Sequence, residues 1–403
     1  MPARRVLMLV ENLPSPFDRR VWQEATTLRD AGYAVSIICP TGRGCEKKFE
    51  SIDGIDIWRY GLPTEGASAL GYTIEYAVAL GWTLGLSLRI FFNKGFDVVH
   101  ACNPPDLFFL VGAFYKLFGR KFVFDHHDAN PELYEAKFGQ RGLFWKLLLW
   151  LEKLTFRSAD VSIATNESYR RIAVGRGGMP PERVFVVRSG PSLERMKVLA
   201  PNEKLKAGKK YLVGYLGVMG RQEGIDLLLQ AIKHLTGELR RKDVHFGLVG
   251  GGTSLDEMRS LARELGVADY VTFTGRVSDA EMLAMLNTAD VCVNPDRANE
   301  MNDISTMNKV MEYMALGKPI VQFDLAEGRF SAQQASLYAR RNDPRDFAAK
   351  LAELLDDPGK RKAMGDFGRR RVREALEWRY EAPKLLAAYE ALWVKPAPRQ
   401  QPA

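Results

Sequence analysis

The feature that most constrains this chain is a regular alternation of short apolar runs with longer helical patterns. Five runs in the first half are rich in β-branched or aromatic residues and are mostly continuous, at 6–10, 35–39, 97–100, 122–124 and 161–164. Such runs are typical of parallel strands covered on both faces. Helical patterns lie between them, for example at 20–31 and 143–157. We therefore predict βαβ units and a doubly wound α/β sheet.

The same alternation starts again after Lys210. Strand-like runs occur at 212–216, 245–249, 271–274, 291–294 and 320–323, with helical patterns at 226–235, 255–265, 280–286 and 309–316. The segment 201–210 is polar and lacks periodicity, which indicates a linker. We predict two Rossmann-like domains, 1–200 and 201–377, that face each other across a cleft. Ligands are expected at the carboxyl ends of the strands.

The charge of the chain is positive but diffuse. The formal net charge is +8, and the first 200 residues hold 26 basic and 21 acidic residues against 31 and 28 in the rest. This distribution lacks the basic arm or tail of a nucleic-acid-binding protein, so we expect an anionic partner other than nucleic acid.

Cysteine usage and hydropathy indicate a cytoplasmic protein that is soluble or peripheral to a membrane. The four cysteines, Cys39, Cys45, Cys102 and Cys292, are scattered, which argues against a disulfide framework or a structural zinc site. The longest uncharged stretch near Trp82 is the thirteen residues between Glu75 and Arg89. A spanning helix needs about 20 apolar residues, so we expect no membrane crossing.

The strongest candidate site is the segment 302–321, where polar residues lead into a helix that ends at Gly317. Backbone N–H groups at such a helix start bind anions. Lys309 and Glu312 are three residues apart and share one helix face, so one can bind phosphate while the other binds ribose hydroxyls. A capped surface helix with an ion pair between these two residues is the alternative. The polar residues at the helix start are further donor-binding candidates: Asn302, Asp303, Ser305, Thr306 and Asn308.

Two glycine-bearing loops follow predicted strands. Gly217 and Gly220 would let the backbone approach a ligand closely, and Arg221 beside them can bind phosphate oxygens. Gly250 and Gly251 follow the next strand, but the spacing is not that of the dinucleotide fingerprint, which disfavours a nicotinamide oxidoreductase. Glycines at such positions also occur without any ligand.

The segment 124–132 contains two histidines between two aspartates, directly after a predicted strand. Adjacent side chains on an extended backbone point in opposite directions, which argues against a metal site. We favour one histidine and one carboxylate of this segment acting in substrate binding or proton transfer, with Asp128 as a candidate on the acceptor side. A structural polar turn is the alternative. The sequence contains no Asp-x-Asp, so no bound metal is expected to hold a diphosphate.

Residues 137–157, from Lys137 to Arg157, combine five aromatic residues with five cations and one acid. Lys146, Lys153 and Arg157 form a narrow polar stripe on an otherwise apolar helix, which suits an anionic membrane surface. A core helix with snorkelling lysines is the alternative. Arg19 and Arg20 add a second basic edge, on the acceptor side of the predicted cleft.

Several of these motifs resemble those of one enzyme family. The segment around Lys309, Glu312 and 315–319 resembles the nucleotide-sugar motif of family 4 retaining glycosyltransferases, which have the two-domain GT-B fold. Segments 16–22, 249–252, 273–276 and 289–295 also resemble the family, so the resemblance covers nearly the whole chain.

The resemblance implies roles for individual residues. Glu312 would bind the donor ribose, the backbone at Arg276 and Val277 would contact the base, and His127 would lie near the transferred sugar. A closing helix at about 378–394 would cross back to the first domain. With Arg221 and Lys309 on the diphosphate, no metal or other cofactor is required.

This chain departs from the family pattern at two positions. The first Glu of the family's Glu-x7-Glu motif is replaced by Ile304, with Asn302 or Asp303 as substitutes, and the family's usual lysine before Gly224 is Glu223. We therefore expect a divergent hexosyl- or N-acetylhexosaminyl-type transferase in cell-surface polysaccharide synthesis. Its acceptor would be a glycan or lipid-linked glycan at the inner face of the plasma membrane. A nucleotide-sugar epimerase or phosphorylase-like enzyme of the same fold, or an inactive scaffold, is the alternative.

Overall fold

The computed structural model describes residues 3–62 and 69–394. The chain divides into two compact units. The first comprises Met1–Glu135, Gly139–Ser189 and Glu381–Ala403, and the second comprises Gly190–Tyr380 with Ala136–Phe138. Leu193 and Met196 pack against the core of the second unit. The segment before the predicted linker therefore belongs to this unit.

The first unit is built on an eight-stranded sheet. Its strands are β1 (Arg5–Leu9), β2 (Ala34–Pro40), β3 (Phe49–Ile52), β4 (Ile55–Tyr60), β5 (Val98–Cys102), β6 (Lys121–His126), β7 (Val161–Ala164) and β8 (Val184–Val186). The order is β3-β4-β2-β1-β5-β6-β7-β8, and every neighbouring pair is parallel except β3 and β4. The α-helices that connect the strands are α1 (Arg19–Asp30), α2 (Ala69–Asn93), α3 (Phe109–Lys116), α4 (Asn130–Phe138), α5 (Leu143–Ser158) and α6 (Glu167–Gly175).

The second unit contains a fully parallel six-stranded sheet. Its strands are β9 (Tyr211–Leu216), β10 (Val244–Val249), β11 (Val271–Gly275), β12 (Val291–Asn294), β13 (Ile320–Phe323) and β14 (Ser336–Ala339), in the order β11-β10-β9-β12-β13-β14. The α-helices are α7 (Ile225–Lys233), α8 (Leu255–Glu264), α9 (Asp279–Thr288), α10 (Glu300–Ile304), α11 (Asn308–Ala315), α12 (Ala326–Ala332), α13 (Pro344–Asp356) and α14 (Pro358–Arg371). The closing helix α15 (Trp378–Ala391) belongs to the first unit from Glu381 onward.

Short helical turns complete the two units. The 3₁₀ turns are Asp106–Phe108, Pro181–Arg183, Glu203–Lys206, Arg221–Glu223, Ala268–Tyr270 and Gln333–Ala335, and two π-helical segments, His234–Glu238 and Val372–Leu376, extend α7 and α14.

The prediction of an α/β fold with two doubly wound sheets is confirmed. All ten predicted strands are present, with ends within two residues of the predicted ones. The prediction missed β3, β4, β8 and β14. Strand β3 is an edge strand whose residues alternate between exposed and half-buried, and β8 has only three residues, so neither gives a continuous apolar run.

Helix α2 is longer and more apolar than the sequence count suggested. Its segment Ile74–Asn93 has a mean hydropathy of 1.2 and passes the length and composition test for a membrane-spanning helix, with 28% of it buried inside the protein. The count of thirteen uncharged residues stopped at Arg89, whereas the apolar sequence continues through Phe91 and Phe92.

Candidate functional site

The second sheet has a topological switch point between β9 and β12. From β9 the chain proceeds outward to β10, whereas from β12 it proceeds in the opposite direction to β13. The loops after β9 and β12 therefore diverge and leave a crevice at the carboxyl ends of the strands, where doubly wound proteins bind ligands. The predicted residues Gly217, Gly220 and Arg221 follow β9, and the predicted segment 302–308 follows β12.

Lys309, near the start of α11, links the two sides of this crevice. Its Nζ donates hydrogen bonds of 2.8 Å to Oε2 of Glu223, in the loop after β9, and of 2.8 Å to Oδ1 of Asp296, in the loop after β12. The same ammonium lies 5.1 Å from the ring centroid of Tyr215. Lys309 is 10% exposed and Asp296 is 1% exposed. Two carboxylates therefore share one largely buried cation.

Lys309, Glu223 and Asp296 form a triad, and its burial determines the protonation of its groups. Burial, together with neighbouring Glu223, raises the pKa of Asp296 to about 7, although Lys309 opposes the shift. Burial alone would lower the pKa of Lys309, but Asp296 and Glu223 hold it well above its usual range. Asp296 is therefore uncharged below about pH 7, and above that pH its carboxylate adds one negative charge beside Lys309.

Glu312 lies one turn further along α11 and has a different partner. Arg195 Nη1 donates to Oε1 of Glu312 at 2.8 Å, and Arg195 Nε donates to Oδ2 of Asp279 at 2.8 Å. Burial raises the pKa of Glu312, although Arg195 opposes the shift. The ion pairs of Lys309 and Glu312 thus go to other parts of the unit. The sequence interpretation missed Arg195 because it precedes the first strand of this unit and belongs to no motif.

The residues before α11 mainly fix the loop. Asn302 is buried, and its Nδ2 donates to the carbonyls of Gln222 at 2.9 Å and Arg297 at 2.8 Å. Asp303 Oδ1 accepts from Arg341 Nη2 at 2.8 Å. Both proposed substitutes for the missing glutamate therefore make structural contacts.

The start of α11 has no side-chain cap among the described residues. Ser305 Oγ donates to the carbonyl of Met301 at 2.7 Å, Thr306 is half-buried, and Asn308 is exposed as the first residue of α11. No side chain caps the helix at Met307, so its first N–H groups are suited to an anion.

The predicted glycine loops after β9 and β10 touch each other through their backbones. Gly250 has a φ of +134°, and a Cβ on it would lie 1.8 Å from the carbonyl oxygen of Gly217. A Cβ on Gly251 would meet nothing closer than the amide nitrogen of Arg276, at 3.8 Å. Arg276 is exposed just after β11, and Val277 beside it packs partly against the core. These residues thus lie at the same edge of the sheet as Lys309.

The first unit has a polar cluster of its own around Asp125, at the end of β6. Arg20 Nη2 donates to Oδ1 of Asp125 at 2.8 Å, and Nε2 of His127 lies 2.5 Å from Oδ2. On the other side, His100 Nε2 lies 3.4 Å from Oδ2, and His100 Nδ1 lies 2.8 Å from the hydroxyl of Tyr389 on α15. Burial would raise the pKa of Asp125, but Arg20 and His127 hold it well below its usual range.

Asn103, which the sequence interpretation missed, fixes the turn that carries His127 and Asp128. Its Oδ1 accepts from the backbone N–H of His127 at 2.7 Å and of Asp128 at 3.1 Å. His126 points the opposite way into the core, where burial lowers its pKa to about 3, whereas His127 is 16% exposed. Arg19, the first residue of α1, is exposed.

Four buried side chains of this cluster have the composition of a metal site. The ligand atoms of Glu24, His100, Cys102 and Asp125 lie within 4.8 Å of one another. However, the Arg20 guanidinium already lies between the two carboxylates, with Nη2 3.0 Å from Glu24 and 2.8 Å from Asp125. A metal ion would have to displace this buried cation, so the donor set fits an arginine better than a metal.

Comparison with known proteins identifies the family. Residues 18–195 match the family model described as Glycosyltransferase Family 4, and residues 210–357 match the model described as Glycosyl transferases group 1. The chain is 31% identical over 188 residues to a GDP-mannose-dependent alpha-(1-6)-phosphatidylinositol monomannoside mannosyltransferase of Mycobacterium tuberculosis, covering 45% of this chain and 48% of the relative. It is 30% identical over 274 residues to the MMP alpha-(1->4)-mannosyltransferase of Mycolicibacterium hassiacum, covering 66% and 64%. The matched region thus spans about half to two thirds of these relatives.

Solved structures share the fold at lower sequence identity. Sucrose-phosphate synthase from Thermosynechococcus elongatus matches with a TM-score of 0.76 and 18% identity, over 97% of this chain and 99% of that one. Anabaena HepE in complex with UDP-glucose matches with a TM-score of 0.72 and 14% identity, over 96% and 99%. The two family models show that the chain belongs to the family 4 glycosyltransferases, and the shared architecture shows that it has the GT-B fold.

Proposed function

We propose that the chain transfers a sugar from a nucleoside-diphosphate sugar to an acceptor and binds the donor at the carboxyl edge of the second sheet. The observation that carries this proposal is the position of Lys309, which is held between the loops after β9 and β12 at the start of α11. An ammonium group, an uncapped helix start and the carboxylate of Glu312 lie within two helical turns. These are the groups that a diphosphate and a ribose require.

Each part of the donor has a proposed partner. Glu312 accepts hydrogen bonds from the ribose hydroxyls, and Lys309, Arg221 and the first amides of α11 hold the diphosphate. The loops that carry Gly217, Gly220, Gly250 and Gly251 line the same edge, and the backbone at Arg276 and Val277 contacts the base. The relatives named mannosyltransferases and the HepE complex with UDP-glucose favour a hexose donor.

The proposed chemistry is retaining and needs no metal ion. Cleavage of the anomeric bond leaves negative charge on the diphosphate, and prearranged donors directed at that charge lower the barrier. Lys309 and the helix amides supply this stabilisation in the second unit. His127 is proposed to act near the transferred sugar, and Arg19 and Asp128 on the acceptor side. Arg20 was predicted there too, but its buried guanidinium is held by Glu24 and Asp125. Removal of one such donor typically costs about 10²–10³ in rate.

Two measurements in sequence test this function. A thermal-shift screen across nucleoside diphosphates and their sugars should identify the donor, because a ligand that binds the native state raises the apparent Tm. Sugar transfer is then measured with Glu312→Ala and Lys309→Ala. Each substitution should strongly reduce the rate of transfer from the donor while the chain stays folded. Undiminished turnover in both variants would refute the site assignment, and isomerised donor sugar without an acceptor would indicate an epimerase. The absence of any nucleotide-sugar binding would indicate a scaffold.

We further propose a lipid-linked glycan acceptor at the inner face of the plasma membrane, in polysaccharide synthesis. Support comes from α5, where Leu147 and Trp150 are exposed beside Lys146, Lys153 and Arg157. Among the described residues, these three cations form no ion pair. Loss of flotation on anionic vesicles after charge reversal at Lys146 and Lys153 is the expected result.

A further inference from the structure

Three helices of the first unit form one layer on the same side of the sheet. Helices α2, α3 and α5 connect β4 to β5, β5 to β6 and β6 to β7, which are steps in one direction across the sheet. Because such crossovers are right-handed, the three helices lie on one side, as does α6, which connects β7 to β8 in the same direction. Tyr115 on α3 donates its hydroxyl to Ser87 on α2 at 2.9 Å, and Thr155 on α5 donates to the carbonyl of Asp106 at 2.8 Å, in the turn before α3. The helices are thus joined side by side.

The outer side of this layer is unusually apolar. Leu143, Leu117 and Phe92 are 86%, 82% and 81% exposed, and no other large apolar side chain in the described part of the chain exceeds 65%. Phe92 lies in α2, Leu117 directly after α3 and Leu143 at the start of α5. Further exposed apolar side chains of the layer are Ile74, Trp82, Leu84, Leu110, Phe118, Leu147 and Trp150. We call this set of residues the three-helix face.

The charges on the three-helix face have one sign. The exposed charged residues described on α2, α3 and α5 are all basic: Arg89, Lys116, Lys146, Lys153 and Arg157. The two acids on these helices, Glu75 and Glu152, are buried. Lys116 pairs with Asp160 at 3.1 Å, and α6 on the same side of the sheet carries one exposed acid, Glu167. An exposed apolar area with four further basic residues and no exposed acid on the three helices themselves matches an anionic lipid surface in both chemistry and charge.

Helix α2 lies against the sheet as a crossover helix. Its residues Ala79, Thr83, Ser87 and Ile90 are buried at intervals of three to four, which is the pattern of a helix with one face in a core. A spanning orientation would remove this face from the sheet. The apolar length of α2 is therefore better explained by a helix that lies along a membrane than by one that crosses it.

We propose that the three-helix face binds the surface of an anionic lipid bilayer, with Phe92, Leu117 and Leu143 in the interfacial region and the basic residues at the headgroups. This assigns the membrane surface to α2 and α3 as well as to α5, and it does not depend on the transfer reaction. A second copy of the chain is a poorer occupant. A symmetric contact would place the same cations against each other without an acid to balance them.

The test is flotation of the full chain on vesicles without donor or acceptor. Vesicles of phosphatidylcholine alone are compared with vesicles in which phosphatidylglycerol and phosphatidylcholine are mixed at a ratio of about three to seven. On the anionic vesicles, each basic residue near the surface is expected to strengthen binding about fivefold. Phe92→Ser, Leu117→Ser and Leu147→Ser should each weaken binding, as should Lys146→Glu with Lys153→Glu. Leu239→Ser is the apolar control, since Leu239 in the second unit is 44% exposed against 43% for Leu147. Lys204→Glu with Lys242→Glu is the charge control.

The outcomes separate the alternatives. Binding to the anionic vesicles that falls at least about fivefold in the face variants and is unchanged in both controls supports the proposal. The proposal is overturned if the unaltered chain does not float, or if Phe92→Ser and Leu117→Ser bind the vesicles as well as the unaltered chain does. A dimer in solution that Leu117→Ser dissociates, with vesicle binding unchanged, assigns the face to a second copy. Retention in vesicles after an alkaline carbonate wash would instead indicate that α2 spans the bilayer.

Discussion

Lys309 Nζ donates a 2.8 Å hydrogen bond to Oε2 of Glu223, at the position where the family resemblance implies a lysine. The substitution therefore does more than remove a cation from the loop after β9. It supplies a carboxylate that, together with Asp296, binds the main remaining cation of the proposed donor site. A donor diphosphate must compete with these two carboxylates for Lys309.

Replacing Glu223 should strengthen donor binding. Glu223→Gln removes one negative charge beside the proposed diphosphate site and leaves Lys309 less occupied, so we expect the Kd for the donor to fall about tenfold, or ~1.4 kcal/mol. Glu264→Gln, at the exposed end of α8, is the matched control and should change nothing. Calorimetric titration measures both. Weaker donor binding by Glu223→Gln would show that Glu223 contacts the donor directly.

Donor binding should also depend on pH through Asp296. Burial raises the pKa of this carboxyl to about 7, so it is protonated below that pH and charged above it. Its charge repels a diphosphate, and we therefore expect the Kd for a nucleotide sugar to rise as pH increases from 6 to 8 (roughly the range in which Asp296 titrates). Asp296→Asn should flatten the profile. A profile that is unchanged in this variant would contradict the assignment.

Arg195 should act on donor binding by positioning Glu312. Arg195→Met leaves the buried carboxylate without its 2.8 Å partner, which favours the protonated acid and weakens its contact with ribose. We expect donor Kd to rise about tenfold, with partial rescue by Arg195→Lys. Asp279 is the other acidic partner of Arg195 and is 55% exposed. Asp279→Asn should therefore raise the donor Kd by a smaller factor. Equal effects of Asp279→Asn and Arg195→Met would argue for a general structural role.

His127 should affect the transfer step more than donor binding. His127→Asn keeps a polar side chain but removes the group that contacts Asp125, so we expect kcat to fall about 10²-fold while donor Kd stays within about twofold. Asn103→Ala should lower kcat by a smaller factor, because it loosens the turn that carries His127. Steady-state kinetics and donor titration on the same preparations separate the two quantities. A rise in donor Kd that accounts for the whole loss in His127→Asn would contradict this role.

Two neighbouring glycines provide a matched pair for the loop after β10. Gly250→Ala places a Cβ 1.8 Å from the Gly217 oxygen at a φ of +134°, so the loop must move, and we expect lower Tm and lost donor binding. Gly251→Ala meets nothing closer than 3.8 Å and should be tolerated. Thermal unfolding with and without nucleotide sugar compares them. Similar Tm values and donor binding in the two variants would show that the backbone contact between the two loops is not needed for either property.

The strands and the polar segment at the proposed donor site could be predicted from the sequence, because both depend on local patterns. Continuous apolar runs mark buried parallel strands. The polar segment before Lys309 is followed by a helix that was predicted to end at Gly317 and ends in the structure at Ala315, two residues before Gly317 with its φ of +69°. The carboxyl ends of such strands are the expected ligand positions in this class of fold. Asp296 could have been found by the same rule, since it follows β12 by two residues.

The partners of the site residues could not be predicted, because they come from distant parts of the sequence. Glu223 is 86 residues from Lys309, and Arg195 is 117 residues from Glu312. Helical spacing offered an ion pair between Lys309 and Glu312 only as the alternative to ligand binding, and gave no sign of either distant partner. In the first unit, periodicity identified α5 as amphipathic, but only the sheet order places α2 and α3 beside it.

Calorimetric titration of nucleotide sugars into the unaltered chain and into Glu312→Gln tests the donor site most directly. We expect one donor of a panel that includes UDP-glucose and GDP-mannose to bind once per chain, and its Kd to rise at least about tenfold in Glu312→Gln, since a hydrogen bond to a charged group contributes about 1.5–3 kcal/mol. A folded chain that binds no nucleotide sugar, or that binds one equally well in both forms, would contradict the account.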